Sequence, residues 1–342
     1  MNNILKEDID NFSLEKNLRA KLSNSSLVVT GATGLIGSTL IRCLQHLDLG
    51  IKFILPVRSH DKASAMFGDI LSSIEIVESD IKYFFETSAS RYDYIIHCAS
   101  PTNGLFIKNN PVETFSLAVE STKSILEYAR RENVKGVVYA SSIECYGVID
   151  SDDIITENSH LGYLDYMNMR NSYPIGKKAA EFLITAYAQQ YNINAKIARL
   201  TQTLGAGVAK NDSRVFVQFA KKILENKSIE IHTSGLSAKP YCYTTDAVSA
   251  LIYILIKGIP GEIYNVSTPD TYINIKGLAK FLKNNFNPKI EISFTGNTNN
   301  TYAPITRVNL SCEKLLSLGW QPKYDLKSMF AKLIKSLNPS NI

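Results

Sequence analysis

Leu27-Val28-Val29-Thr30-Gly31-Ala32-Thr33-Gly34-Leu35-Ile36-Gly37, residues 27–37, is a β-branched apolar run that feeds straight into a glycine-spaced turn. An amphipathic segment, 35–46, comes after the turn. The glycines fall in the order G-x-x-G-x-x-G, one residue off the dinucleotide fingerprint. Glycine permits a tight strand-to-helix turn, close approach of a ligand to the backbone, and close packing of helix on strand. The N–H groups at the helix start, together with the positive end of its dipole, favour a pyrophosphate. A dinucleotide is therefore the expected ligand, held by Gly31, Thr33, Gly34, Leu35, Ile36 and Gly37.

Outward from this unit, strand-like apolar runs at 27–30, 52–57, 74–78, 94–98, 137–140 and 195–200 alternate with helical segments at 35–46, 111–131 and 173–191. Such alternation predicts an α/β fold, a Rossmann-type doubly wound parallel sheet with helices on both faces. Beyond residue 200 the alternation loosens, and Gly, Asn, Thr and Pro crowd 295–304. The expected division is a helical arm over 1–26, a dinucleotide-binding domain over 27–200 with a returning segment near 236–268, and a smaller mixed α/β substrate-binding lobe from 201–235 and 269–342. In the arm, Ile4, Leu5, Ile9, Phe12, Leu14, Leu18 and Leu22 fall mainly on one helical stripe, which predicts packing rather than chemistry.

The chain has 342 residues, room for a large core, and a formal charge of +5 that is dispersed rather than run together. That distribution argues against a nucleic-acid partner. No apolar run approaches the ~20 residues of a membrane span, and the acidic start MNNILKEDIDNF is unlike a signal peptide. A cytoplasmic protein with no membrane partner is expected. Five cysteines lie far apart without a C-x-x-C pair, which reads as reduced, mostly buried thiols. The five histidines show no ligand spacing, so no metal is expected.

Tyr173 and Lys177 stand four apart in NSYPIGKKAAEFL, stacked on one helix face, with Pro174 suited to the first turn. An ammonium beside a phenol favours the phenolate, making tyrosine a usable base near neutral pH. Upstream, the strand ends Tyr139-Ala140-Ser141-Ser142 and continues Ile143-Glu144-Cys145-Tyr146-Gly147. A serine at the carboxyl end of such a strand projects into the ligand crevice, where its hydroxyl can hold a substrate oxygen.

Together TGATGLIG, Asp80-Ile81, HCAS, SSIECYG and Y-P-I-G-K resemble the extended short-chain dehydrogenase/reductases, the NAD-dependent epimerase/dehydratase family acting on nucleotide-sugars, over most of 27–325. The resemblance implies Tyr173 as base, Lys177 as its tuner and a cofactor-ribose ligand, and Ser142 as partner of the reacting hydroxyl. It implies Asp80 and Ile81 near the adenine and Ala99 and Ser100 along the cofactor. It further implies Gln202, Arg214, Val215, Lys239 and Tyr241 as substrate contacts alongside Ser142, and a homodimer through the helices at 111–131 and 173–191. A sugar hydroxyl, usually at C4, is oxidised to a bound ketone.

The fate of that ketone turns on the residues beside Glu144. Dehydratases of the family resemble S-T-D-E-V-Y-G, with an acid that protonates the leaving hydroxyl; Ile143 holds that place here and cannot. UDP-glucuronate decarboxylases resemble S-T-S-E-V-Y-G and carry N-D-G-R-V, similar to Asn211-Asp212-Ser213-Arg214-Val215. A 4-keto uronate loses carbon dioxide without a leaving-group acid, so decarboxylation leads epimerisation. Glu144 also admits a purely structural reading. Departures from the family pattern are Lys239 for an arginine, Gln202 for an asparagine, and Ala118 for an asparagine in the crossover helix.

The cofactor is NAD or NADP. Arg58, after the second strand, suits a 2′-phosphate or is a solvated loop charge. If NADP is taken, the alternative is an NADPH-dependent reductase of a nucleotide 4-keto-sugar. A non-catalytic dinucleotide sensor is the alternative of another class, and the Ser142, Tyr173 and Lys177 set argues against it.

Overall fold

The computed structural model describes residues 1–159, 161–295 and 305–338; His160 and all of the 295–304 stretch except Thr295 lie outside the described residues. Seven strands form one parallel sheet: β1 (Ser26–Thr30), β2 (Lys52–Val57), β3 (Ile74–Glu78), β4 (Tyr94–His97), β5 (Gly136–Ser142), β6 (Ala195–Leu200) and β7 (Ile263–Val266). Their order is β3-β2-β1-β4-β5-β6-β7, the doubly wound arrangement, with the reversal of winding between β1 and β4. The observed strands match the apolar runs to within one or two residues. β5 is longer than its run because Ser141 and Ser142 still pair with Arg199 and Leu200 of β6.

Side chains alternate across the sheet, as the period of two requires. Leu27, Val29, Phe53 and Leu55 enter the core on one face, Val28, Ile54, Ile95 and Val137 the core on the other. Helices α3 (Leu35–His46) and α6 (Thr244–Lys257) belong to the first face; α4 (Pro111–Glu132) and α5 (Ser172–Tyr191) to the second. The last two pack tightly on each other. A Cβ on Gly176 of α5 would lie 3.2 Å from the Cβ of Ala118 on α4, so the small residue at 118 accommodates that approach.

The arm consists of α1 (Asn3–Asp10) and α2 (Lys16–Leu22). Ile9, Phe12, Leu18 and Leu22 are buried in the first-face core, and fully burying a leucine is worth roughly 2 kcal/mol. Asp8 accepts the Tyr243 hydroxyl at 2.5 Å and pairs with Lys332 at 2.9 Å, so the arm is tied to both the returning strand and the C-terminal helix. In the smaller lobe, helices Val215–Leu224, Ile275–Phe286 and Leu326–Leu337 close around Phe216, Tyr241, Leu278 and Phe330. Four of the five cysteines are buried and Cys98 is half-buried, all as free thiols. No helix of the described residues is long and apolar enough to cross a membrane.

Candidate active site

Because every strand of the main sheet runs the same way, the turns after β1, β4 and β5 emerge at one edge. The first carries the glycines. Gly31 has φ +69, and a Cβ there would sit 2.7 Å from the Ala99 backbone nitrogen; a Cβ on Gly37 would meet the Gly31 carbonyl oxygen at 2.4 Å. Both are demanded by the protein's own backbone. Gly34 is different: it is exposed, its Cβ position faces only the Gly31 carbonyl oxygen at 3.2 Å, and it begins α3 with no side-chain cap. The helices Ile81–Thr87, His60–Phe67 and Ile275–Phe286 are capped by Asp80, Ser59 and Asn274, whereas α4, α5 and α6, like α3, begin without a side-chain cap. The open first turn of α3, beside a residue with no side chain, fits the pyrophosphate of a dinucleotide.

The wall of the turn is fixed from below. Thr30, the last residue of β1, bonds Nδ1 of His97 through Oγ1 at 2.6 Å, and Nε2 of His97 meets Ser121 Oγ at 3.2 Å. Burial, aided by the Lys177 charge, pushes the His97 imidazole down to about 3, so it is neutral. The Ala99 N–H donates to Thr30 Oγ1 at 3.3 Å, which holds the Ala99-Ser100 strand end against the glycine turn. Arg58 is exposed just past β2. Asp80 spends one carboxylate oxygen capping its helix, accepting from Lys82 N at 2.9 Å and Tyr83 N at 3.3 Å, with Ile81 buried beside it.

The turn after β5 carries the side chains that the sequence reading expects to react. Ser142 caps the short turn Ile143–Tyr146, accepting the Glu144 N–H at 3.1 Å, and its hydroxyl lies near enough to the Tyr173 phenol to favour the phenolate. Lys177 is buried one helical turn beyond Tyr173, and its Nζ donates to the Ala140 carbonyl at 2.7 Å. The ammonium lies 4.3 Å from the Tyr139 ring centroid and 5.8 Å from that of Tyr173. Burial pushes Lys177 down to about 8. Tyr173 is pushed above the ordinary phenol range, first by burial and then by the Glu144 carboxylate, with the Ser142 bond opposing. In this structure, then, the lysine makes no hydrogen bond to the phenol: its ammonium donates to the strand carbonyl of Ala140.

Glu144 receives a two-pronged contact from Arg170, Nη1 to Oε2 at 2.7 Å and Nη2 to Oε1 at 3.0 Å. The Arg170 Cζ lies 6.0 Å from the Tyr173 ring centroid. Sequence patterns miss Arg170, because a lone arginine in a polar loop has no periodicity; its position three residues before Tyr173 is the only signal. A second such pair is equally silent in the sequence. Glu181, on the Tyr173-Lys177 face of α5, takes Arg199 Nε at 3.0 Å and Nη2 at 2.7 Å, and accepts Ser141 Oγ at 2.5 Å. It locks the helix to the strand carrying Ser142.

The remaining residues come from beyond β6. Gln202 comes after β6 and pairs through the backbone with Tyr241. The Tyr241 side chain is 2% exposed, edge-on to Phe216 and Phe330 in the core of the smaller lobe. Arg214 forks onto Asp212 (2.7 Å) and reaches the Thr203 carbonyl (3.1 Å), and the exposed Val215 starts the next helix. Lys239 is half-buried on the two-residue strand Ala238–Lys239, paired with Ile273.

A profile of the NAD dependent epimerase/dehydratase family matches residues 27–267. The chain is 28% identical over 310 residues to UDP-glucuronic acid decarboxylase 5 of Arabidopsis thaliana, covering 89% of this chain and 87% of that protein. Among solved structures it is similar to UDP-glucose 4-epimerase of Thermotoga maritima with UDP-glucose (TM-score 0.77, 19% identity, 91% of this chain and 98% of the other). It is also similar to dTDP-glucose 4,6-dehydratase of Bacillus anthracis in complex with NAD (TM-score 0.75, 18% identity, 91% and 96%).

Proposed function

The chain belongs to the NAD-dependent epimerase/dehydratase family, and on that premise we propose that it decarboxylates a nucleotide-linked uronate, UDP-glucuronate being the first substrate to try. The observation that carries this reading is the turn after β5. Ser142, Glu144 and Tyr173 are gathered there while position 143 is a buried isoleucine, 3% exposed. Ile143 has no proton to give a departing hydroxyl.

The glycine turn and Lys177 would hold NAD, which supplies a hydride acceptor at the sugar carbon. Tyr173 takes the proton of the C4 hydroxyl, with Ser142 donating to the same oxygen. Once the ketone exists, the C5–carboxylate bond breaks, its electrons pass into the C4 carbonyl as an enolate, and carbon dioxide leaves. Ser142 and the protonated Tyr173 stabilise that oxygen. Glu144 would orient a water to give C5 its proton, and the ketone would then be reduced at C4 by the hydride held on the cofactor while Tyr173 returns the proton to the C4 oxygen, which leaves the UDP-pentose. Incubation with UDP-glucuronate should release carbon dioxide and leave a UDP-pentose by mass spectrometry; an unchanged uronate with a turned-over hexose would refute the reading.

Arg58 supports a second reading. It is exposed at the end of β2, where a guanidinium suits the 2′-phosphate of NADPH, and a net reductase would use that cofactor. Titration of NAD against NADP separates the two. The apolar residues Val112, Phe115 and Phe182, exposed on α4 and α5, support a homodimer through these helices, and a monomeric mass in solution would exclude it.

A further inference from the structure

Two arginine–glutamate forks flank the reactive residues, and they differ in access. The Arg199–Glu181 pair is sealed, its side chains 4% and 6% exposed; the Arg170–Glu144 pair is open, at 39% and 28%. A sealed fork holds helix to strand. An open one beside the base offers a planar, five-donor site to any carboxylate that enters. We propose that Arg170 is the receptor for a carboxylate on the sugar, and that Glu144 occupies its fork until the substrate displaces it. This rests on the uronate reading of the site.

The placement fits. The guanidinium carbon is 6.0 Å from the ring of Tyr173, the residue assigned to the C4 hydroxyl, and the uronate carboxylate hangs from the adjacent ring carbon. Arg170 sits on the turn Met169–Asn171, whose backbone is pinned by the Asn168 side chain accepting the Arg170 N–H at 3.1 Å. The backbone is therefore held while the guanidinium faces the crevice. Lys239 is the other cation read as a substrate contact, but it lies on a strand of the smaller lobe and presents a single ammonium without a fork. Exchange of one carboxylate for another leaves the Arg170 donors paired, and the cost falls on Glu144, which gives up its two bonds. It also frees Glu144 beside the reacting sugar at the stage when the proposed chemistry needs it.

The test uses the catalytically silent Tyr173→Phe protein loaded with NAD, titrated calorimetrically with UDP-glucuronate and with UDP-glucose. Arg170→Met in that background is expected to weaken UDP-glucuronate binding by roughly 30-fold or more, the scale for removing one partner of a charge pair. UDP-glucose should change less than about threefold, and Arg170→Lys should fall between. Glu144→Gln, which removes the internal competitor, should tighten UDP-glucuronate severalfold. NAD affinity, measured in each variant, reports an intact fold. Equal losses for both nucleotides, retained preference in Arg170→Met, or weaker uronate binding in Glu144→Gln would overturn the proposal. A parent that does not prefer UDP-glucuronate over UDP-glucose sinks the uronate reading itself, whereas a parent that prefers it while Arg170→Met still does removes only the role of Arg170.

Discussion

The turn after β1 and the turn after β5 leave the same edge of the same sheet, yet they are built on opposite principles. The first is backbone: Gly31 and Gly37 exist to let strand, helix and the Ala99 segment approach, and Gly34 leaves the first turn of α3 bare. The second is side chain: Ser142 accepts the Glu144 N–H, and Arg170 forks onto the Glu144 carboxylate beside the Tyr173 ring. One shape suits any pyrophosphate, while the other discriminates among reactions. A fold that binds one cofactor can therefore serve many chemistries by changing only the second turn.

The largest expected effect separates the two turns outright. Tyr173→Phe should lower kcat by about 10³-fold, within the range for a lost acid–base group, with NAD affinity by fluorescence titration unchanged. Acid titration comes next and sharpens the contrast. His97, under the first turn, is depressed from 6.5 to about 3, so the unfolded chain binds the extra proton and stability falls as pH drops from about 6.5 towards 3. That limb is worth on the order of 4 kcal/mol, and His97→Gln should flatten it in urea melts taken across the range. Lys177, under the second turn, is depressed from 10.5 to about 8. The same sign puts its window on the alkaline side, where its contribution to stability rises with pH between about 8 and 10.5.

Gly31→Ala should cost roughly 2–3 kcal/mol in unfolding free energy from denaturant melts, because a left-handed φ and a backbone collision coincide. Gly34→Ala is the smallest in stability, under about 1 kcal/mol, and should show itself in weaker NAD binding instead. If Gly34→Ala unfolds the protein while Gly31→Ala spares it, the division between structural and ligand-facing glycines is wrong.

Much of the architecture is readable from the chain because its signals are local. The alternation Leu27-Val28-Val29 is the two-face burial of β1, and the spacing of Tyr173 and Lys177 is one helical turn. β7 is not among the expected strand runs, since Ile263-Tyr264-Asn265-Val266 is short and interrupted by a polar residue that is buried only through its partners: Asn265 takes the Tyr146 hydroxyl and bonds the Ser311 carbonyl. Helical spacing puts Tyr173 and Lys177 on one face but leaves open what the Lys177 ammonium bonds. Being on one face does not say where an ammonium points when a strand carbonyl lies nearer.

Residue order alone determined the parallel sheet, the glycine turn and the helix bearing Tyr173 and Lys177, because periodicity and backbone sterics act over a few residues. Tertiary structure decided which carboxylate meets which cation. Arg170 with Glu144 and Arg199 with Glu181 are 26 and 18 residues apart in the chain, and charge pairing depends on distance and solvent access in space, which no local pattern encodes. Those contacts distinguish a sealed latch from an open receptor beside the same tyrosine.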